Sequence, residues 1–163
     1  MTCGSKGNVT VELALIIAIV FVLAVAGPVF YKVFSGINDK IQTSDEFVPL
    51  SKSISQNHIT QFPAIWDNVI MIILLGYAIA VVLAAIYIDT LPVFGVIMFM
   101  SLPIMLVVSM AVSNAYESFQ SSLHTETALM PWTVYIMNNL PFMILGIGIL
   151  GAIALYGKRR LGA

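Results

Sequence analysis

Charged residues are spaced so unevenly along this chain that they divide it into long uncharged runs and short polar stretches. The uncharged runs cover 13–31, 68–88, 91–112 and 127–157. An α-helix rises 1.5 Å per residue, so about 20 apolar residues cross the roughly 30 Å hydrocarbon layer of a bilayer. The first three runs, of 19, 21 and 22 residues, each predict one span, whereas the fourth, of 31, is longer than one span requires. Asn138-Asn139-Leu140-Pro141 resembles the Thr90-Leu91-Pro92 start of the third run, which places the final span from Leu140 onward. The pattern therefore predicts an all-α integral membrane protein, a single domain with four transmembrane helices in a compact bundle. The expected spans are about 12–33, 68–88, 91–112 and 140–157, with an extramembrane loop at 35–67 and a surface or interfacial segment at 113–139.

Only Asp89 and Thr90 separate the second run from the third, so these two predicted spans fold back on each other as a helical hairpin. Thr90 is placed to cap the second helix of that hairpin. Pro92 falls in its first turn, where a missing N–H is harmless, and Asp89 lies near its positive end. Pro28 should bend the first span near its far end. Within 35–67, apolar residues such as Ile37, Ile41 and Ile54 suggest a short helix continuing from the first span, then an interfacial segment around Phe62, Ile65 and Trp66. Asn114 and Glu117 have capping-box spacing, which predicts a brief surface helix carrying Tyr116, Phe119 and Leu123. Small residues recur every four positions as Ala14 with Ala18, Gly76 with Ala80 and Ala84, and Gly148 with Ala152. Such spacing lets helix backbones approach closely in a bilayer, and the Gly76 face is expected to pack inside the hairpin.

Composition agrees with the pattern: 60% of residues are hydrophobic, 9% are charged and mean hydropathy is +0.98. A formal net charge of −1 without a basic face gives no electrostatic footprint for nucleic acid. Lys158, Arg159 and Arg160 form the one basic cluster, which reads as a topology anchor beside the last span. Four spans put both termini on one side. The cytoplasmic side is favoured for them, because Lys6 and the 158–160 cluster outnumber Lys32, Lys40 and Lys52 on the other side. His58 and His124 stand alone, without the spacing of a metal site. Glycine-rich phosphate loops, nucleophile elbows and chains of intramembrane acids are missing from the sequence. These features predict no catalytic residues, no metal, no cofactor and no enzymatic activity.

Two stretches resemble known families. Gly7, Asn8 and Glu12 followed by a hydrophobic helix resemble the N-terminus of type IV pilin-like or TadE-like proteins over residues 6 to about 31. That resemblance implies cleavage between Gly7 and Asn8, with Glu12 pairing the new N-terminal amine of a neighbouring subunit. Farther along, Trp66-Asp67-Asn68, Ile88-Asp89-Thr90-Leu91-Pro92-Val93-Phe94, Ser113-Asn114-Ala115-Tyr116-Glu117, Pro131-Trp132 and Tyr156-Gly157-Lys158 resemble small multi-spanning membrane proteins of membrane-containing tailless viruses. The implied role is a virion membrane component between lipid and capsid, or a helper of virion assembly. The reading from sequence is thus a non-enzymatic structural or assembly protein of a virion internal membrane or host cell membrane. Its expected partners are the lipid bilayer and other membrane or capsid proteins, with a homo-oligomer as an option. A pilin-like or TadE-like cell-envelope assembly protein is the alternative. A small pore or holin-like protein ranks last, because Tyr77, Ser101 and Ser109 do not make a polar stripe.

Overall fold

The computed structural model describes residues 9–87 and 92–161, with the side chains of 14–83 and 100–154. Six helices follow in order: α1 (Val9–Thr43), α2 (Pro49–Tyr87), α3 (Pro92–Ser122), α4 (His124–Thr127), α5 (Pro131–Asn138) and α6 (Leu140–Leu161). No strand occurs among the described residues. Three helices, α1, α2 and α3, are long and apolar enough to cross a membrane, and α5 with α6 adds a fourth if that bent pair counts as one span. The chain is an integral membrane protein built from three to four such helices.

The lengths of α1 and α2 correct the predicted loop at 35–67. With 35 and 39 residues, they extend about 52 and 58 Å, well beyond a hydrocarbon layer of roughly 30 Å. Only residues 44–48 lie between them. Helix continues outside the predicted spans because polar side chains on facing turns satisfy one another. Asn38 donates from Nδ2 to Gln56 Oε1 at 2.8 Å, and its Oδ1 accepts from Ser55 Oγ at 2.8 Å. Gln42 Nε2 donates to the Lys52 carbonyl at 2.7 Å, and Lys52 Nζ returns a bond to the Gln42 carbonyl at 3.0 Å. The expected brief surface helix carrying Tyr116, Phe119 and Leu123 is likewise no separate element, since α3 runs on through this stretch to Ser122.

Helix directions follow from which residues meet. Leu23 meets Trp66, Asn38 meets Gln56 and Gln42 meets Lys52, so α1 and α2 are antiparallel. Ser113 meets Asn138, and Gly148 faces Leu102, so α3 and α6 are antiparallel too. Among the described residues α1 touches α2 and α3, α6 also touches α2 and α3, and α2 does not touch α3. The predicted hairpin is therefore not a packed pair: α2 and α3 occupy opposite corners of a four-cornered bundle, with α1 and α6 between them. A short connection brings helix ends together, but packing along the helices is decided by which faces fit. The inner face of α2, with Pro63, Asp67 and Ile70 buried, is taken by α1, α5 and α6.

One core joins these elements. Ile17, Val20 and Ala24 of α1, Ile70 of α2, Met105 and Tyr116 of α3, Ile136 and Met137 of α5, and Leu140 and Ile144 of α6 are all buried. Many large apolar side chains point outward, including Leu15, Val22, Ile72, Leu75, Val107, Phe142 and Ile153. A soluble domain would avoid this exposure, whereas a bilayer solvates it.

Candidate functional site

The described polar chemistry concentrates where α1, α2, α3 and α5 meet, near the level at which the α1–α2 hairpin leaves the apolar bundle. Pro28 lacks an N–H, so it cannot bond the Ala24 carbonyl, and its ring pushes the preceding turn of α1 open. Trp66 on α2 approaches the adjacent turn: its Nε1–H donates to the Leu23 carbonyl at 3.0 Å. Gly27 makes the approach possible, since a Cβ there would run into the indole. Phe30, Phe34 and Phe62 surround the indole. Phe62 stacks on Trp66 with ring centroids 5.5 Å apart, and Phe30 meets it edge-on at 6.1 Å. These rings form an aromatic girdle of the kind found at membrane boundaries.

The next residue, Asp67, is only 3% exposed. Its carboxylate sits at the N-terminus of α5, a helix that has no cap of its own. Met130 occupies the N-cap position without a side-chain bond, and Pro131 follows in the first turn without an N–H. The next two backbone N–H groups both donate to Asp67, Trp132 N to Oδ2 at 3.0 Å and Thr133 N to Oδ1 at 2.6 Å. Thr133 Oγ1 adds a third bond to Oδ1 at 2.7 Å. The cap is thus supplied by another helix, 64 positions earlier than Pro131 in the sequence. A carboxylate at this point also meets the positive end of the α5 dipole, which partly compensates its buried charge.

Tyr116 completes the cluster. It is fully buried, packs against Phe119 with ring centroids 5.9 Å apart, and lies within electrostatic reach of Asp67. Its hydroxyl has no hydrogen-bond partner among the described residues. Close by, Lys32 Nζ on α1 pairs with Glu126 of α4 at 3.4 Å, the one ion pair among the described residues. Together these contacts hold α5 at 71° to α6, with the break at Asn139. The arrangement fixes helix ends in place. No group of three potential metal ligands occurs among the described residues.

The residues singled out from sequence fare differently. Gly7, Asn8, Asp89 and Thr90 lie outside the described residues, Glu12 belongs to the first turn of α1, Pro92 opens α3, and Lys158, Arg159 and Arg160 end α6. Gly148 does sit at a close helix contact, where a Cβ would meet Leu102 of α3, and Ala152 one turn later is half-buried. Ala14 packs against the core, but Ala18 is exposed. The expected Gly76 face is overturned: Gly76 and Ala80 are exposed, and nothing lies near a Cβ built on Gly76. At 100° per residue they point roughly 110 to 150° away from the side of α2 that carries Asp67, Ile70 and Leu74. Ala84 continues α2 beyond them. Small size permitted close packing there, but the inner face was set by the larger buried side chains.

Asp67 and Tyr116 were not singled out as site residues by sequence reasoning. A signal was present in Met130-Pro131-Trp132-Thr133, a helix start with proline in the first turn but no Ser, Thr, Asp or Asn before it. Such a start requires an acceptor from elsewhere. No protein family, curated protein or solved structure matches the chain.

Proposed function

We propose that this protein is a non-enzymatic structural or assembly component of a membrane, most specifically a virion membrane, and that its α1–α2 hairpin is the part that meets other proteins. The observation that carries this reading is the inverted construction of the hairpin outside the apolar bundle. Past Tyr31, α1 continues about 18 Å to Thr43, and α2 returns alongside it. Polar groups fill the seam between the helices, while Ile37, Phe47, Val48, Leu50 and Ile54 face outward, Val48 and Leu50 at 62% and 69% exposure. A solvated post would place those residues inside. Outward apolar side chains at the tip of a rigid stalk suit a protein surface that covers them, and a coat or capsid protein lying over the membrane is such a partner. The bundle then acts as the anchor, with the Asp67 clamp keeping stalk and helix ends in register, and both termini lie on the opposite, cytoplasmic side.

Photo-crosslinking from Leu50 in the native membrane tests the proposal. Adducts with a coat protein are expected, together with their loss in Val48→Asp. Adducts confined to lipid, or to a secretion ATPase, would overturn the virion assignment. A mature N-terminus at Asn8 would move the protein to the pilin-like class.

A further inference from the structure

A groove of about 370 Å³ opens between the end of α3, α4 and α5. Ala128, Pro131 and Val134 give it apolar lining. Gln120, His124, Tyr135 and Asn138 bring two amides, an imidazole and a phenol to its walls, and no acidic or basic side chain other than His124 lines it. Glu126, the acid nearest in sequence, is not among its lining residues and pairs with Lys32.

The groove lies at the level of the membrane boundary. It shares α5 with the Asp67 cap, and Asp67 adjoins Trp66 of the aromatic girdle. On the outer side of α5, Trp132 and Tyr135 form an exposed edge-to-face pair with ring centroids 6.3 Å apart, the placement of aromatic residues at headgroup depth. Neutral donors beside an apolar lining suit a singly charged phosphate diester better than a dianion, which would call for Lys or Arg. The volume falls within the range of small-ligand sites.

We infer that this groove holds the phosphate-glycerol headgroup of one phospholipid from the leaflet on the hairpin side, with its acyl chains descending past Trp132 into the hydrocarbon. The phosphate oxygens accept from the Gln120 and Asn138 amides and from His124. Tyr135 and Val134 flank the glycerol.

The test uses the full chain in detergent, with native mass spectrometry and thermal unfolding as readouts. Phosphatidylglycerol or phosphatidylcholine should be retained at one molecule per chain above background and should raise the unfolding temperature. Diacylglycerol with the same acyl chains and inorganic phosphate should do neither at matched concentration. Gln120→Leu and Asn138→Leu, each removing one donor, should weaken retention about tenfold apiece while leaving lipid-free unfolding unchanged. Equal retention of diacylglycerol would overturn the inference, because the groove would then not read phosphate. Equal stabilisation by inorganic phosphate would overturn it too, by making the site one for a soluble anion. Unchanged retention in both variants would place the lipid elsewhere.

Discussion

Replacing Asp67 by alanine removes the acceptor of three hydrogen bonds at once. Trp132 N–H, Thr133 N–H and the Thr133 hydroxyl then lose their partner in a site where the carboxylate itself is 3% exposed. Losing an N-cap costs about 0.5 to 2 kcal/mol in exposed helices, and stranding buried donors adds about 1 to 3 kcal/mol for each group that water cannot reach. Thr133 is fully buried, whereas Trp132 is partly open, so Thr133 dominates the loss. The sum is about 3 to 5 kcal/mol, the scale on which buried charge networks respond when one partner is removed. For a chain of 163 residues each kcal/mol moves the midpoint by about 2 to 4 °C, which predicts a fall of about 10 °C. Asp67→Asn keeps one acceptor oxygen and should lose about half as much. Trp66 and Trp132, the two tryptophans of the chain, flank the site, so intrinsic fluorescence during a thermal ramp in detergent reports on it directly. A midpoint for Asp67→Ala within 2 °C of the parent would refute the claim that this carboxylate holds α5.

Gly27→Val should destabilise by about 1 to 3 kcal/mol and shift tryptophan emission, because the new side chain displaces the Trp66 indole; parent-like emission would refute the contact. Ala80→Leu should leave the detergent midpoint unchanged, since Ala80 faces outward, whereas Ala24→Leu, at a fully buried position, should lower it by several degrees. Asn38→Leu should cost about 1 to 3 kcal/mol by stranding Ser55 and Gln56, and should speed proteolysis at 44–48 more than global unfolding accounts for. Lys32→Met should cost at most about 1 kcal/mol, fading in high salt, because the lysine is largely exposed.

The apolar runs located the membrane helices because a bilayer leaves the backbone almost no alternative: an unbroken run of about 20 uncharged residues must satisfy its own N–H and C=O groups. The same logic does not reach the polar stretches. Residues 35–67 read as a loop since their side chains suit water, yet Asn38, Gln42, Lys52, Ser55 and Gln56 pair across the hairpin and keep both helices going. Pairing of that kind depends on which turns face each other, and spacing within one helix does not encode it. The small-residue repeats failed for a related reason. Four-residue spacing at Gly76 and Ala80 names a face of α2 without saying where it points, while Gly148 and Ala152, with the same signature, do meet α3.

Asp67 unites these lessons, because its role cannot be read from its own neighbours. Asp67 is the last acid before an apolar run, and the helix it caps begins 64 positions later at Pro131. The proline and the uncapped Met130 leave α5 dependent on an acceptor from outside, and Asp67 needs donors to be buried at all. Each defect is the other's remedy. Helices α1 and α2 share one core with α3, α5 and α6, and this pair of incompatible ends adds a polar tie to it at the start of α5. On this view the 71° break between α5 and α6 is the means by which the α5 N-terminus is turned inward to reach Asp67. A continuous α5–α6 helix would leave the carboxylate buried without its donors.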